Sequence, residues 1–295
     1  MADNGLVTEA GGDPEAGYET RETLELVGLM NEADSIVPAA VGSVTPVIAA
    51  VVDAVAERLR VGGRLVYVGA GSSGMIAALD ASECEATFSV PPGVVIALVA
   101  GGSATALEAE DDGEGGARDV LAIEVGPADA VVGVSASGST PYVLGALESA
   151  RAAGAFTACV VAAPHSALAR LVEREIAVVV GPEFLAGSTR LKAGTAQKLV
   201  LNTISTVSMI RLGKTYGNLM VDVAAANEKL AGRVRRIVAT ASGASRQQVD
   251  DALEDAEGDA RVAIVSLLAG VDAPTARRRL DRSDRSIAAA LELAE

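Results

Sequence analysis

Apolar residues recur at helical spacing over Arg21 to Asp34 and again over Pro46 to Arg60, with Thr45 placed as the N-cap ahead of Pro46. From Arg64 the rhythm changes. Near-continuous apolar runs at 64–68, 94–100, 129–134, 156–162 and 176–180 predict strands buried on both faces. Helical patterns separate most of them, notably Ser72–Ala81 and Thr140–Ala153. Strands alternating with helices predict an α/β fold, a parallel sheet in a three-layer αβα sandwich. Beyond Gly181 the pattern turns helical. Ala193 to Leu212 reads as one long helix ended by Gly213 and Gly217, and 234–295 as several short helices. Ser245 is placed to cap a helix starting at Arg246, and Asp272 one with Pro274 in its first turn. The expected organisation is a flexible arm over 1–20, an α/β domain with flanking helices over 21–233, and a small helical subdomain over 234–295.

Two of the predicted strands run directly into loops rich in glycine and hydroxyls. Gly69-Ala70-Gly71-Ser72-Ser73-Gly74 follows Arg64–Val68, and Ser135-Ala136-Ser137-Gly138-Ser139-Thr140 follows Ala130–Val134. Glycine permits tight turns and close backbone approach. Amides, hydroxyls and a following helix N-terminus together favour an anion, typically phosphate. In open parallel sheets, ligands sit beyond the strand C-termini, where both loops lie. Gly69 to Gly74 fits G-x-G-x-x-G literally. A dinucleotide fold also needs an acid at the end of the second strand, and here that strand ends Val99-Ala100-Gly101-Gly102. A phosphorylated small molecule suits the two loops better, and capped strand-to-helix turns are the plainer alternative.

Composition narrows the classes. The net charge of −15 argues against nucleic acid, although local amides can still bind an anion. No apolar run reaches the length of a membrane span, and the N-terminus lacks the charged and apolar regions of a signal peptide. Two cysteines, Cys84 and Cys159, make no disulfide framework. The simplest location is the cytoplasm. No His pair or EF-hand spacing exists, so no metal site is expected.

Proton transfer must then fall mainly to carboxylates. Asp80-Ala81-Ser82-Glu83-Cys84 closes the helix launched by the first loop, and Glu108, Glu110, Asp111, Asp112 and Glu114 cluster after the second strand. Such clusters are usually solvated faces. Glu83 ends a predominantly apolar helix, where partial burial would raise its pKa toward neutrality. The lone histidine, His165, reads as a surface or cap residue, and Cys84 beside Glu83 as structural. The polar segment Gly187–Lys198, which includes Ser188, opens the long helix. A cation at a helix start opposes the dipole, so Lys192 is a candidate for holding an anion, in its own chain or in a partner's.

Together these segments resemble the N-acetylmuramic acid 6-phosphate etherases of the sugar isomerase (SIS) superfamily. The likeness rests on Val68–Gly74, Asp80–Cys84, Ala109–Asp112, Val131–Gly138, Thr140–Val143, Gly187–Asn202, Gly217–Val223 and Asn227–Leu230. The run Leu191–Asn202 with Asn218–Val223 is the family-specific part; the Ser/Gly loops alone mark the superfamily. The resemblance implies a cofactor-free lyase that splits the D-lactyl ether at C3 of the sugar 6-phosphate, giving N-acetylglucosamine 6-phosphate and D-lactate by elimination and hydration. The family's two essential glutamates fall on Glu83 and Glu110, Glu83 acting at the ether and C2 and Glu110 as a second acid or base. Substrate and phosphate are expected at Gly71, Ser72, Ser73, Ser135, Ser137, Ser139, Thr140, Ser188 and Lys192. A homodimer with shared sites is implied.

The chain departs from the family pattern at several points. Ser139 stands where the family usually carries arginine, which removes a bidentate anion donor. Glu85-Ala86-Thr87 replaces Pro-Pro-Thr, about four residues are missing between Gly102 and Glu110 by comparison with the pattern, and Ala10-Gly11-Gly12 lacks the usual Arg-Asn after Thr8-Glu9. These departures keep two alternatives open. One is a non-catalytic sugar-phosphate-binding regulator; the other is an etherase or isomerase for a different sugar phosphate.

Overall fold

All five predicted strands join one parallel sheet. The computed structural model describes residues 16–102, 107–222 and 228–293. Three helices, α1 (Thr23–Asp34), α2 (Val37–Ser43) and α3 (Thr45–Arg60), precede β1 (Leu65–Gly69). Then follow α4 (Gly71–Phe88), β2 (Val95–Val99), a 3-10 turn (Leu107–Asp111), α5 (Gly113–Ala122), β3 (Ala130–Val134), α6 (Pro141–Ala152), β4 (Phe156–Val161), β5 (Arg174–Ala177) and α7 (Lys192–Arg211). The strand order is β2-β1-β3-β4-β5. Sequence order thus reverses at β1, and the switch point lies between β1 and β3, whose residues Gly69 and Val134 are paired.

Alternation along the strands builds the layers. Val66, Val68 and Val131 pack with Tyr142, Val143 and Leu147 of α6 and Val120 of α5. Tyr67 points to the other face, where its hydroxyl donates to Asp80 of α4 (2.9 Å) and to the carbonyl of Leu201 in α7 (3.4 Å). The three-layer αβα sandwich expected from the alternation is the observed architecture.

The chain forms two compact units, 1–82 with 93–205, and 83–92 with 206–295. The sequence-based boundary at 233/234 falls inside the second. That unit holds a hairpin, β6 (Thr215–Tyr216) with β7 (Leu219–Met220), and the helices α8 (Glu228–Ser242), α9 (Arg246–Asp255), α10 (Ala260–Ala269), α11 (Ala273–Asp281) and α12 (Ile287–Glu292). Val221, Val238, Val249, Val265, Leu280 and Ile287 share its core. Ser245 forms a capping box with Gln248, and Asp272 accepts from the Thr275 amide, as expected from sequence.

Some local expectations change. Thr45 is the first residue of α3 rather than its cap, and its hydroxyl donates to the Gly42 carbonyl at the end of the preceding helix. β5 lies at 174–177 instead of 176–180, because its pairing with β4 ends at Val161 opposite Ala177. α4 continues to Phe88, so Asp80–Cys84 lie within the helix and do not close it. The arm expected over 1–20, with Thr8–Gly12, lies mostly outside the described residues. Among the described residues no single helix is long and apolar enough to cross a membrane.

At the N-terminal edge of the sheet, Arg64 grips Asp129 through both Nε (3.0 Å) and a terminal nitrogen (2.7 Å). Burial pushes the Asp129 carboxyl up, but hydrogen bonds from Arg64 and the Gly126 amide outweigh it and hold the pKa below the ordinary value. A depressed carboxylate pKa contributes stability above the unfolded value of about 3.9, and that contribution is lost as pH falls through the folded pKa. Asp129→Asn is therefore expected to lower the thermal midpoint at pH 7 and to differ little from wild type in strong acid. Melting curves of both proteins against pH check this; a gap independent of pH contradicts it.

Candidate functional site

The loops after β1 and β3 emerge side by side at the switch point, because their strands are adjacent, parallel and in register. In the second loop, Ser135 is buried, with 3% of its surface exposed. Its hydroxyl bonds with that of Thr140 (2.8 Å), lies 3.3 Å from that of Ser137, and accepts from the Gly138 amide (3.1 Å). Ser137 in turn accepts from the amide (3.2 Å) and hydroxyl (3.0 Å) of Ser139. Ser135 thus holds the loop closed, while Ser139 is exposed and Ser137 and Thr140 are half-buried. In the first loop Ser72 is exposed and Ser73 half-buried at the start of α4.

The acidic segment separates into distinct roles. Asp112 caps α5 by accepting from the Gly115 amide (2.7 Å) and pairs with Arg118 (2.9 Å). Asp119 accepts a 2.5 Å bond from the Tyr142 hydroxyl of α6; burial, and then Asp119 itself, push that phenol's pKa upward. Glu108, Asp111 and Glu114 are exposed. Glu110 alone among these acids is placed against the first loop. A methyl group added at Gly71 would lie 2.6 Å from its Oε1.

Backbone contact brings Glu110 there. α5 and α6 cross so closely that a Cβ on Gly145 would come within 1.9 Å of the Gly113 carbonyl, and one on Gly116 within 1.9 Å of the Tyr142 carbonyl. Only glycine permits this approach. The crossing ties the segment carrying Glu110 to the helix that opens from the second loop. Gly71, at φ +51°, then leaves room for the carboxylate over the first. Gly71→Ala is expected to displace Glu110 and to lower turnover about 100-fold, the scale of an ångström-sized misplacement. The check is kcat with a parallel melting curve; unchanged kcat in a folded variant contradicts the placement.

Glu83 departs from expectation. It is exposed, and the partial burial argued for it from sequence is not found. On α4 it lies eleven residues beyond Ser72, a rise of about 16 Å, which exceeds the length of one sugar phosphate. What the sequence reading missed lies one turn earlier. Asp80, 4% exposed, accepts from Tyr67 (2.9 Å), Asn202 (2.5 Å) and Ser205 (3.0 Å). This buried carboxylate ties α4 to β1 and α7 through neutral donors. Asn202 and Ser205 lie more than a hundred residues away in sequence, and only their polarity on a largely buried helix hinted at a partner.

The third polar segment is also resolved differently. Lys192 and Ala193 donate their amides to Glu183 (2.9 and 3.0 Å), and Glu183 and Lys192 are both buried. A carboxylate nine residues upstream thus satisfies the N-terminus of α7, so the dipole conflict inferred for Lys192 is answered within the chain. Ser188 is half-buried just before that helix. His165 is exposed in the turn after β4, and Cys84 and Cys159 are buried free thiols. Burial, and then Glu175, push the Cys159 thiol up to about 12. No cluster of metal-ligating side chains occurs among the described residues.

The family model of the glucokinase regulatory protein N-terminal SIS domain matches residues 47–151, the span of both loops. An N-acetylmuramic acid 6-phosphate etherase of Rubrobacter xylanophilus is 56% identical over 279 residues, covering 93% of this chain and 93% of its own. One from Streptomyces avermitilis is 54% identical over 98% of this chain and 94% of its own. One from Serratia proteamaculans is 49% identical over 97% and 98%. Among solved structures, a phosphoheptose isomerase from Francisella tularensis superposes with a TM-score of 0.54 at 21% identity, covering 64% of this chain and 100% of that one. That likeness is one of fold.

Proposed function

The chain belongs to the N-acetylmuramic acid 6-phosphate etherase family, and from that membership we propose how its residues carry out the reaction. The activity is that of a carbon–oxygen lyase. It cleaves the D-lactyl ether of N-acetylmuramic acid 6-phosphate to N-acetylglucosamine 6-phosphate and D-lactate in amino-sugar recycling. Relatives named as etherases over nearly the whole chain set aside the regulator and isomerase alternatives.

The phosphate sits between the loops at the switch point, on Ser72, Ser73, Ser137, Ser139 and Thr140 and the amides around Gly71, with Ser135 holding the second loop in shape. Ser188 and Lys192 complete the anion's surroundings. The observation that carries this reading is the Glu110 carboxylate lying over Gly71, beside two hydroxyl loops on adjacent strands. In the ring-opened sugar the C1 aldehyde acidifies the C2 proton. A carboxylate takes that proton, the C3–O bond breaks, and the lactate oxygen gains a proton as it leaves. Water then adds at C3 of the unsaturated aldehyde while C2 is reprotonated. The two glutamates divide these transfers. Glu83 acts at C2 and the ether, and Glu110 serves ring opening or water addition.

A 16 Å rise along α4 keeps Glu83 from the phosphate loop of its own chain, so a second copy supplies it. Exposure of Glu83 supports this, as does α1, which buries none of its residues and leaves Leu24 84% and Val27 60% exposed. The functional form is then a homodimer with shared sites, needing no metal or cofactor. The reading places it in the cytoplasm, in keeping with its free cysteines. Neither nucleic acid nor membrane is a partner. Incubation with N-acetylmuramic acid 6-phosphate and an assay of D-lactate tests the function; no release under conditions where a known etherase works contradicts it.

A further inference from the structure

We infer that Tyr18 is a positioning residue for substrate binding: its ring, stacked on Phe184, clamps the segment before α1 onto the loop that carries Ser188 and opens α7, an inference that rests on the proposed place of Ser188 and Lys192 beside the phosphate. Aromatic rings are scarce here, with three phenylalanines, four tyrosines and no tryptophan in 295 residues. Two of these seven face each other. The Tyr18 and Phe184 ring centroids are 4.7 Å apart with planes 8° from parallel, a separation at which aromatic pairs attract beyond their buried area. Arg21 backs the stack, with its guanidinium carbon 6.0 Å from the Tyr18 centroid. Its Nε donates to the Ala16 carbonyl (3.0 Å) and a terminal nitrogen to Glu25 of α1 (2.6 Å). Thr20 donates its hydroxyl (3.0 Å) and its amide (3.1 Å) to the Gly17 carbonyl. Residues 16–21 are thus folded on themselves and joined to α1, and they present the Tyr18 ring to Phe184.

Phe184 connects directly to the start of α7. It follows Glu183, whose buried carboxylate accepts the amides of Lys192 (2.9 Å) and Ala193 (3.0 Å). Residues 183–193 therefore form a loop closed at its ends, with Ser188 inside it. The Ser188 amide donates to the Leu185 carbonyl (2.9 Å), and its carbonyl accepts from the Leu191 amide (3.1 Å). That loop also meets the first hydroxyl loop. A methyl group on Gly194 would lie 3.4 Å from Cδ1 of Ile76, which is about one turn along α4 from Ser72 and Ser73. Release of Phe184 frees Glu183, and with it the α7 start and Ser188. Tyr18 touches none of the reacting groups assigned above. Its loss is therefore a loss of binding shared by ground state and transition state, which raises KM and leaves kcat alone.

Tyr18→Ala in the full-length protein is expected to raise KM for N-acetylmuramic acid 6-phosphate, and Kd for N-acetylglucosamine 6-phosphate, about fivefold, with kcat within about twofold of wild type. Tyr18→Phe keeps the ring and is expected to match wild type in all three. Amide hydrogen exchange reads the clamp without turnover: Lys192 and Ala193 should exchange faster in Tyr18→Ala than in wild type or Tyr18→Phe. Unchanged KM and Kd in Tyr18→Ala, a loss confined to kcat, or a Tyr18→Phe variant as impaired as Tyr18→Ala overturns the inference. So does exchange at Lys192 and Ala193 identical in Tyr18→Ala and wild type. A wild type that releases no D-lactate defeats the etherase reading instead, and the exchange comparison still decides the role of Tyr18.

Discussion

Glu83→Gln is expected to lower D-lactate release about 1000-fold, within the range lost when a positioned acid–base group is removed. Its binding of N-acetylglucosamine 6-phosphate should be unchanged, because the substitution does not touch the two loops proposed to hold the phosphate. The fold should also be unaffected. Glu83 is exposed and contributes nothing to the buried Asp80 network one turn before it, so an amide there costs no packing. Single-turnover measurement of lactate release, alongside a binding isotherm for the sugar phosphate, separates the two effects. Loss of binding together with activity would show that Glu83 shapes the pocket. Retained activity would remove it from the chemistry.

The second large effect is on stability. Gly145→Val places branched carbons where the α5 backbone now lies, since even the first carbon would come within 1.9 Å of the Gly113 carbonyl. Neither helix backbone can move aside the way a side-chain tip does. The pair must separate, opening the layer that Tyr142, Val143, Ala146 and Leu147 form with the sheet. A cost of about 3 kcal/mol or more follows from such overpacking, equivalent to a fall in melting temperature of roughly 10 °C for a chain of this size. Activity should fall further than stability alone explains, because the same crossing carries Glu110 to the first loop. Melting curves with kcat measured well below the new midpoint check both parts. A variant as stable as wild type contradicts the close crossing.

The parts of this protein readable from its sequence are those encoded locally. Strands appear as apolar runs, and the two loops as glycine and hydroxyl residues at strand ends. The caps at Ser245 and Asp272 are written in residues three positions apart. Adjacency of β1 and β3 comes from the sheet order, which no local pattern in the sequence writes out. What remained hidden depends on long-range partners. Glu183 reaches the start of α7 from nine residues upstream, and Asn202 and Ser205 meet Asp80 from a helix more than a hundred residues away in sequence. Thr45 looks like a cap, but the short α2 before it leaves its hydroxyl to the Gly42 carbonyl. The environment of Glu83 misled for a different reason. An apolar helix suggests burial, yet the apolar positions of α4 include Met75 and Leu79, each about half exposed, so part of that helix faces outward in the single chain. Periodicity marks an apolar face but does not say whether the chain's own core covers it.

Mixed dimers give the most direct test of the central claim that each site joins the loops and Glu110 of one chain to Glu83 of another. Glu83→Gln and Glu110→Gln chains, each inactive alone, are combined with two different affinity tags, and the doubly tagged dimer is isolated. If Glu83 crosses between copies, one of the two sites retains both glutamates, and the mixed dimer releases D-lactate at about half the wild-type rate. If each site is built from a single chain, every site in the mixed dimer carries one defect. A mixed dimer no more active than its inactive parents would contradict the account.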